Sequence, residues 1–133
     1  MEQVAVILLQ NANGEILLQH RSADAPTYPD HWAFFGGHIE DGETPEQAVA
    51  REAMEELQYE LERPALFKVH TSVPDCVIYV FVEDYSGAEL VLGEGQGMRW
   101  FAPSQTKHLL MNDHDRSILE EFAASNAMNS TSS

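Results

Sequence analysis

Three glutamates between residues 50 and 60 have a spacing that could bind a metal ion. At about 100° per residue in a helix, Glu52, Glu55 and Glu56 fall on one narrow face. Like charges at this spacing repel one another, and a hard divalent cation such as Mg²⁺, which prefers oxygen ligands, would offset that repulsion. The same pattern is typical of a solvated acidic face, and helix chemistry alone leaves both interpretations open.

The residues before the glutamates predict where this helix begins. Thr44 suits the N-cap position, Pro45 suits the first helical position, and Gln47 completes a capping box. Arg51 adjoins the carboxylates and could hold one of them through a bidentate pair. The opposite arc of the helix is apolar and should pack against the core; it consists of Val49, Ala50, Ala53, Met54 and Leu57. We therefore expect a helix from near Pro45 with one charged face and one buried face.

The order of residues over 37–59 resembles the Nudix box. The resemblance is carried by Gly37, then after five residues Glu43, then after seven residues Arg51-Glu52, followed by Ala53, Glu55-Glu56 and Leu57. Every acidic position of the family pattern is present. The pattern departs at its end, where Gln58 stands in place of the family's glycine and Tyr59 in place of an aliphatic residue. That glycine normally takes the left-handed conformation that ends the helix, so a glutamine there is expected to cost about 1 kcal/mol.

The resemblance implies a metal-dependent hydrolase, a pyrophosphohydrolase that cleaves a phosphoanhydride bond of a nucleoside diphosphate linked to a further group X. Mg²⁺, or Mn²⁺ in its place, would bridge phosphate oxygens and make bound water a better nucleophile. A (d)NTP or modified nucleotide is the favoured substrate because the chain is small, with 133 residues. A nucleotide-sugar or ADP-ribose pyrophosphatase and a non-catalytic nucleotide-sensing module are the alternatives.

The resemblance also implies a role for each charged residue of the box. The metal ligands would be the Gly36 carbonyl, Glu52, Glu55 and Glu56. Glu52 would act as a ligand or as the general base, and we favour it as the base. Arg51 would orient Glu52, and Glu43 would support that pair.

Further candidates lie outside the box. Glu94, in the sequence LGEGQGM, could supply an additional metal ligand, although a flexible acidic turn explains it equally simply. Arg21 and Arg99 could contact a phosphate, although either could be an ordinary surface arginine. Phe34 is one of several aromatic residues that could stack on a base, although aromatic residues in short strands mostly pack in the core.

The rest of the sequence predicts mostly strands. Residues 4–10 and 15–20 flank a turn that contains Asn and Gly, which predicts a hairpin. Residues 76–84 are apolar almost throughout, which predicts a strand covered on both faces. Short strands are expected at 32–35 and at 98–101.

A second helix should cover the other face of the sheet near the C-terminus. Asn112 or Asp113 could cap it, and its apolar stripe consists of Ile118, Leu119, Phe122 and Ala123. The fold predicted is α/β, an α/β/α sandwich with a mixed sheet, and the Nudix resemblance implies the same architecture. We expect one domain over 1–123, followed by a polar, disordered tail over 124–133.

Charge and composition limit the partners. The formal charge of -15 comes from 22 acidic and 7 basic residues, which argues against nucleic acid as a partner because little positive charge is available to replace counterions. The N-terminal sequence MEQVAVILLQ has no basic region and too short an apolar run for a signal peptide or a membrane helix. We therefore expect a cytoplasmic protein without membrane contact that binds small nucleoside diphosphates or triphosphates, and the resemblance is compatible with a homodimer.

Overall fold

The computed structural model of the chain describes residues 1–93 and 95–131. The strands are β1 (Glu2–Gln10), β2 (Ile16–His20), β3 (Trp32–Ala33), β4 (Phe35–His38), β5 (Ala65–His70), β6 (Cys76–Asp84) and β7 (Gly97–Phe101). The helices are α1 (Pro45–Leu57), a short 3₁₀ helix (Pro103–His108) and α2 (Asp113–Thr131). No helix within the described ranges has both the length and the apolar character needed to cross a membrane.

The strands form one mixed sheet in the order β3-β2-β1-β6-β5, in which β4 also pairs with β1 and β7 with β2. β1 and β6 run parallel in register along their whole length, and the other pairs are antiparallel. β4 pairs with β1 so that Gly36 lies opposite Val6 and Gly37 lies opposite Ala5. The two glycines are therefore placed beside the central strand of the sheet.

The central strand β1 contributes to two apolar cores, one on each face of the sheet. Its side chains point alternately to opposite faces, so Ala5 and Ile7 join one core while Val6 and Leu8 join the other. The first core lies under α1 and includes Val49, Leu57, Phe35 and Phe81. The second lies under α2 and includes Ile118, Leu119, Phe122 and Phe34. The predicted α/β/α sandwich with a mixed sheet is confirmed.

The structure differs from the sequence predictions in three places. The sequence pattern does not predict β5. This strand lies at the edge of the sheet, where Leu66 is 51% exposed and Val69 is 41% exposed, so its apolar residues do not follow the pattern of a buried face. Met54, expected in the buried arc of α1, is 47% exposed. The helix α2 continues to Thr131, past the position where a disordered tail over 124–133 was expected to begin, and residues 132–133 lie outside the described ranges.

Candidate active site

The start of α1 has the capping box that the sequence predicts. The Thr44 hydroxyl accepts a hydrogen bond from the Gln47 backbone N–H at 3.1 Å, and Gln47 Oε1 accepts one from the Thr44 backbone N–H at 2.9 Å. Pro45 occupies the first turn. Two N–H groups that no intrahelical carbonyl can reach are thus satisfied locally. The helix begins at Pro45, as expected, and this sets the rotation of its glutamates.

Arg51 connects the carboxylates of α1 to the loop before the helix. Its Nε donates to Glu43 Oε2 at 2.7 Å and its Nη2 donates to Glu43 Oε1 at 3.0 Å, which makes a bidentate pair. Its Nη1 donates to Glu52 Oε1 at 2.9 Å and lies 3.3 Å from Glu55 Oε2. Its Nη2 also donates to the His38 carbonyl at 3.0 Å. We call Glu43, Arg51, Glu52 and Glu55 the Arg51 cluster.

The cluster shifts the pKa values of its members in opposite directions. The hydrogen bond from Arg51 lowers the pKa of Glu43, and the bond to Glu43 raises the pKa of Arg51 further above its usual range. Burial raises the pKa of Glu52, and this outweighs the lowering effect of its hydrogen bond from Arg51. Arg51 therefore remains charged, while Glu52 is easier to protonate than an exposed glutamate.

Gly37 lies against the carboxylate of Glu52. A Cβ added to Gly37 would come within 2.5 Å of Glu52 Oε1 and 2.9 Å of Oε2, which is closer than side chains can approach. The position beside β1 thus leaves room for the Glu52 carboxylate only because residue 37 has no side chain.

Glu56 is the most deeply placed carboxylate of the α1 acidic face. Its Oε1 accepts a hydrogen bond from the Gly36 N–H at 2.8 Å. Burial raises the pKa of Glu56 to about 7, the charge of Glu52 adds to the shift, and the bonds from Gly36 and Gln19 oppose it. Gly36 itself packs so tightly that an added Cβ would lie 2.2 Å from the Ala5 carbonyl oxygen. The site therefore holds a negative charge that the protein alone compensates poorly.

The donor set fits a hard divalent cation in its chemistry. Glu52 and Glu56 lie one helical turn apart, burial raises the pKa of both, and each offers carboxylate oxygens of the kind that Mg²⁺ and Mn²⁺ prefer. Glu55 is 57% exposed and is paired with Arg51. Within residues 1–93 and 95–131, no three Asp, Glu, His or Cys side chains are already grouped to hold a metal ion. Glu94, the additional ligand expected from the sequence, lies outside the described ranges.

The other predicted contacts lie in different surroundings. Arg21 Nε donates to the Thr27 carbonyl at 3.0 Å, and its charge reaches both Glu56 and Asp115, whose charged forms it favours. Phe34 is only 4% exposed and belongs to the core under α2. Arg99 pairs with Leu18, which places it on the sheet face opposite α1, and its guanidinium carbon lies 5.6 Å from the Phe101 ring centroid. Arg21 is thus the candidate that the structure brings nearest to the acidic site.

Asp115 is a buried acid that sequence reasoning missed. It is 6% exposed in the first turn of α2, and burial raises its pKa, while the charge of His114 and hydrogen bonds from Asn112 and the Phe34 backbone favour the charged form. Its backbone N–H donates to Asn112 Oδ1 at 2.7 Å, so Asn112 is the helix cap. Acidic residues are common in the first turn of a helix, so the sequence gives no sign that Asp115 is special. Only the structure shows that it is buried and that it accepts a hydrogen bond from the Phe34 backbone.

A cavity of about 570 Å³ opens beside the N-terminal end of α2. Its lining includes Tyr28, His31, Ser72, Val73, Met111 and His114. The cavity brings together the loop before β3, the loop between β5 and β6, and the start of α2. Its size suits a small organic ligand.

The fold is that of an α/β protein with a mixed sheet between two helices. Its candidate active site is the acidic face of α1, whose glutamates lie against Gly36 and Gly37 of β4. The chain belongs to the Nudix family, because the model of the NUDIX domain matches residues 1–122. Together with the relatives described next, this match makes the protein a Nudix hydrolase, an enzyme that acts on acid anhydrides of phosphorus.

Two relatives and one solved structure illustrate the similarity. The chain is 40% identical over 104 residues to the 8-oxo-dGTP diphosphatase of Escherichia coli (strain K12), and the aligned segment covers 75% of this chain and 79% of that protein. It is 31% identical over 128 residues to the CTP pyrophosphohydrolase of the same strain, and this alignment covers 93% of this chain and 92% of that protein. The crystal structure of the MutT protein from Methanosarcina mazei Go1 superimposes with a TM-score of 0.82 at 24% identity, covering 94% of each chain, and this likeness concerns the fold.

Proposed function

We propose that this chain is a metal-dependent Nudix hydrolase that cleaves a phosphoanhydride bond of a nucleoside triphosphate, either a (d)NTP or a modified nucleotide. The observation that carries the proposal is the pair Glu52 and Glu56, one turn apart on α1, whose pKa values burial raises, beside an arginine that holds one of them. Two partly buried carboxylates one helical turn apart repel each other in the charged form, and a bound divalent cation would offset that repulsion.

The residues of the Arg51 cluster have distinct roles in this proposal. Glu43 fixes the guanidinium of Arg51 through the bidentate pair, and Arg51 in turn fixes Glu52 Oε1. Glu52 accepts the proton of the attacking water, for which a raised pKa is suited. Glu55, Glu56 and the Gly36 carbonyl would hold Mg²⁺ or Mn²⁺, and Glu52 would be a further ligand in the alternative in which it is not the base. A bound divalent ion supplies charge stabilisation at the phosphates and a lowered pKa of water.

The substrate class is supported by the relatives, and the size of the cavity is compatible with any nucleotide. The two relatives are named for 8-oxo-dGTP and for CTP, which are both nucleoside triphosphates. The cavity beside α2 is large enough for a nucleoside. Arg21 favours the charged forms of both Glu56 and Asp115, and it is the cation that we assign to the phosphates. We infer that the phosphates lie toward α1 and the nucleoside toward α2.

The experiment is a substrate panel. Release of phosphate and of pyrophosphate is measured with and without Mg²⁺ on canonical and oxidised nucleoside triphosphates, nucleotide sugars, ADP-ribose and dinucleoside polyphosphates. We expect metal-dependent turnover concentrated on triphosphates. Turnover concentrated on ADP-ribose or nucleotide sugars would show that the substrate is not a triphosphate. Metal binding without turnover of any compound would favour a nucleotide-sensing module.

Two variants test the assigned residues. Glu55→Gln and Glu56→Gln each remove a charge with little change of shape, and each should lower turnover by a factor of about 100 or more. Glu60→Gln removes the charge of an exposed residue just past the helix and is the matched control. Rates near the control value in both variants would contradict the assigned roles.

A further inference from the structure

The segment 90–93, which we call the strap, lies against the C-terminal end of α1. The Val91 N–H donates to the Leu57 carbonyl at 2.9 Å, and the Gly93 N–H donates to the Glu56 carbonyl at 2.8 Å. The side chains of Leu90 and Leu92 are partly buried against the core under α1. Within the strap, Leu90 and Leu92 pack on the core, and the residues after each of them donate a backbone N–H to the end of α1.

The end of a helix leaves carbonyl groups without intrahelical partners. In α1, Gln58 takes the left-handed conformation, with φ 52° and ψ 35°, and its N–H bonds to the Ala53 and Met54 carbonyls. The last two carbonyls of the helix, those of Glu56 and Leu57, accept from the strap. The exit of the helix therefore depends on a segment more than thirty residues further along the chain.

Gly93 is the point of closest approach. A Cβ added there would lie 3.1 Å from the Glu55 carbonyl oxygen and 3.4 Å from the Glu56 carbonyl oxygen. Both atoms belong to backbone, so the helix end and the strap would have to move apart by a few tenths of an ångström to admit a side chain. To the extent that the helix end moves, it displaces the two residues whose carboxylates belong to the proposed metal site.

We propose that Gly93 is a positioning residue of the reaction, because with the Val91 N–H it fixes the turn of α1 that carries Glu55 and Glu56; this inference rests on the proposed function. The side chain of Glu56 is tied at its other end to the Gly36 N–H at 2.8 Å. The strap fixes the backbone end and β4 fixes the carboxylate end. Productive geometry in an active site tolerates little displacement, so this double attachment matters for the chemistry as well as for the fold.

The first test compares Gly93→Ala with Gly97→Ala in the full chain. Gly97 is the matched control, since a Cβ there would meet nothing within 4 Å. With the triphosphate that the substrate panel identifies, Gly93→Ala should lower kcat about 10-fold while KM changes less than about 2-fold. Mn²⁺ alone, measured by titration calorimetry, should bind more weakly to Gly93→Ala than to the wild type, and Gly97→Ala should match the wild type in both measurements.

The second test removes one hydrogen bond. Val91→Pro lacks the N–H that bonds to Leu57, whereas Val91→Ala keeps it, and the Val91 side chain is 38% exposed. Val91→Pro should reproduce the loss of kcat and of Mn²⁺ affinity, and Val91→Ala should not. In the wild type, the amide protons of Val91 and Gly93 should exchange slowly with solvent.

The outcomes separate the strap from the proposed function. Equal kcat and equal Mn²⁺ affinity in Gly93→Ala and Gly97→Ala would overturn the proposal, as would a lower melting temperature with kcat per folded molecule unchanged. If Val91→Pro does not fold, the glycine pair decides alone. If the wild type hydrolyses no nucleotide, the proposed function fails, and Mn²⁺ affinity and amide exchange in the same variants still decide the role of the strap.

Discussion

Replacing Glu56 by glutamine should make the metal-free protein more stable at pH 8 and have a much smaller effect at pH 5. Burial raises the pKa of Glu56 to about 7 in the folded protein, from an ordinary value of 4.5. Between these two values the folded state keeps a proton that the unfolded chain has lost. Stability therefore falls as the pH rises through this window and is constant above it.

The magnitude follows from the size of the shift. At 1.36 kcal/mol per pKa unit, the penalty for charging Glu56 reaches about 3 kcal/mol, of which roughly 2 to 3 kcal/mol develops between pH 5 and pH 8. Glutamine stays neutral throughout, and its Oε1 can still accept the hydrogen bond from the Gly36 N–H. The stability of Glu56→Gln relative to the wild type should rise by this amount over the same range.

The assay is urea unfolding with a chelator present, at pH 5 and at pH 8. Glu60→Gln serves as control because the loss of any charge relieves some repulsion in a chain of net charge -15. Saturating Mg²⁺ should then stabilise the wild type at pH 8 more than it stabilises Glu56→Gln. If both variants show the same pH dependence, the charge of Glu56 is not penalised by burial, and the argument for a cation at this position is refuted.

Three further variants test the geometry of the site. Arg51→Lys cannot form the bidentate pair, so kcat should fall about 10- to 100-fold; an unchanged kcat would show that a single positive charge is sufficient. Gly37→Ala places a Cβ 2.5 Å from Glu52 Oε1 and should push that carboxylate away from Arg51, so turnover should fall while the midpoint of urea unfolding changes little. Unchanged turnover with a lowered unfolding midpoint would contradict this. Gly36→Ala places a Cβ 2.2 Å from the Ala5 carbonyl oxygen, so it should lower the free energy of unfolding by about 2 kcal/mol or more, and a wild-type unfolding midpoint would show that β4 can move away from β1.

The sequence alone predicted the features that depend on residues close together in the chain. The capping box of Thr44 and Gln47 and the start of α1 at Pro45 are as expected, because a helix start is decided by hydrogen bonds within four residues. The end of α1 was not predicted in this way, because Gln58 stands in place of the family's glycine, and only the structure shows that it takes the left-handed conformation. The nearly continuous apolar run over 76–84 predicted a strand covered on both faces, because successive side chains of a strand point to opposite faces of the sheet.

Only the tertiary structure decided how the acidic face is surrounded. The burial of Glu56 requires β4, which delivers the Gly36 N–H from twenty residues away, and the strap reaches the end of α1 from still further along the chain. The buried state of Asp115 requires the backbone near Phe34 to pack against α2. The burial and the pKa of a side chain depend on which segments from elsewhere in the chain pack against it, and the residue pattern of a single helix or strand does not show those contacts.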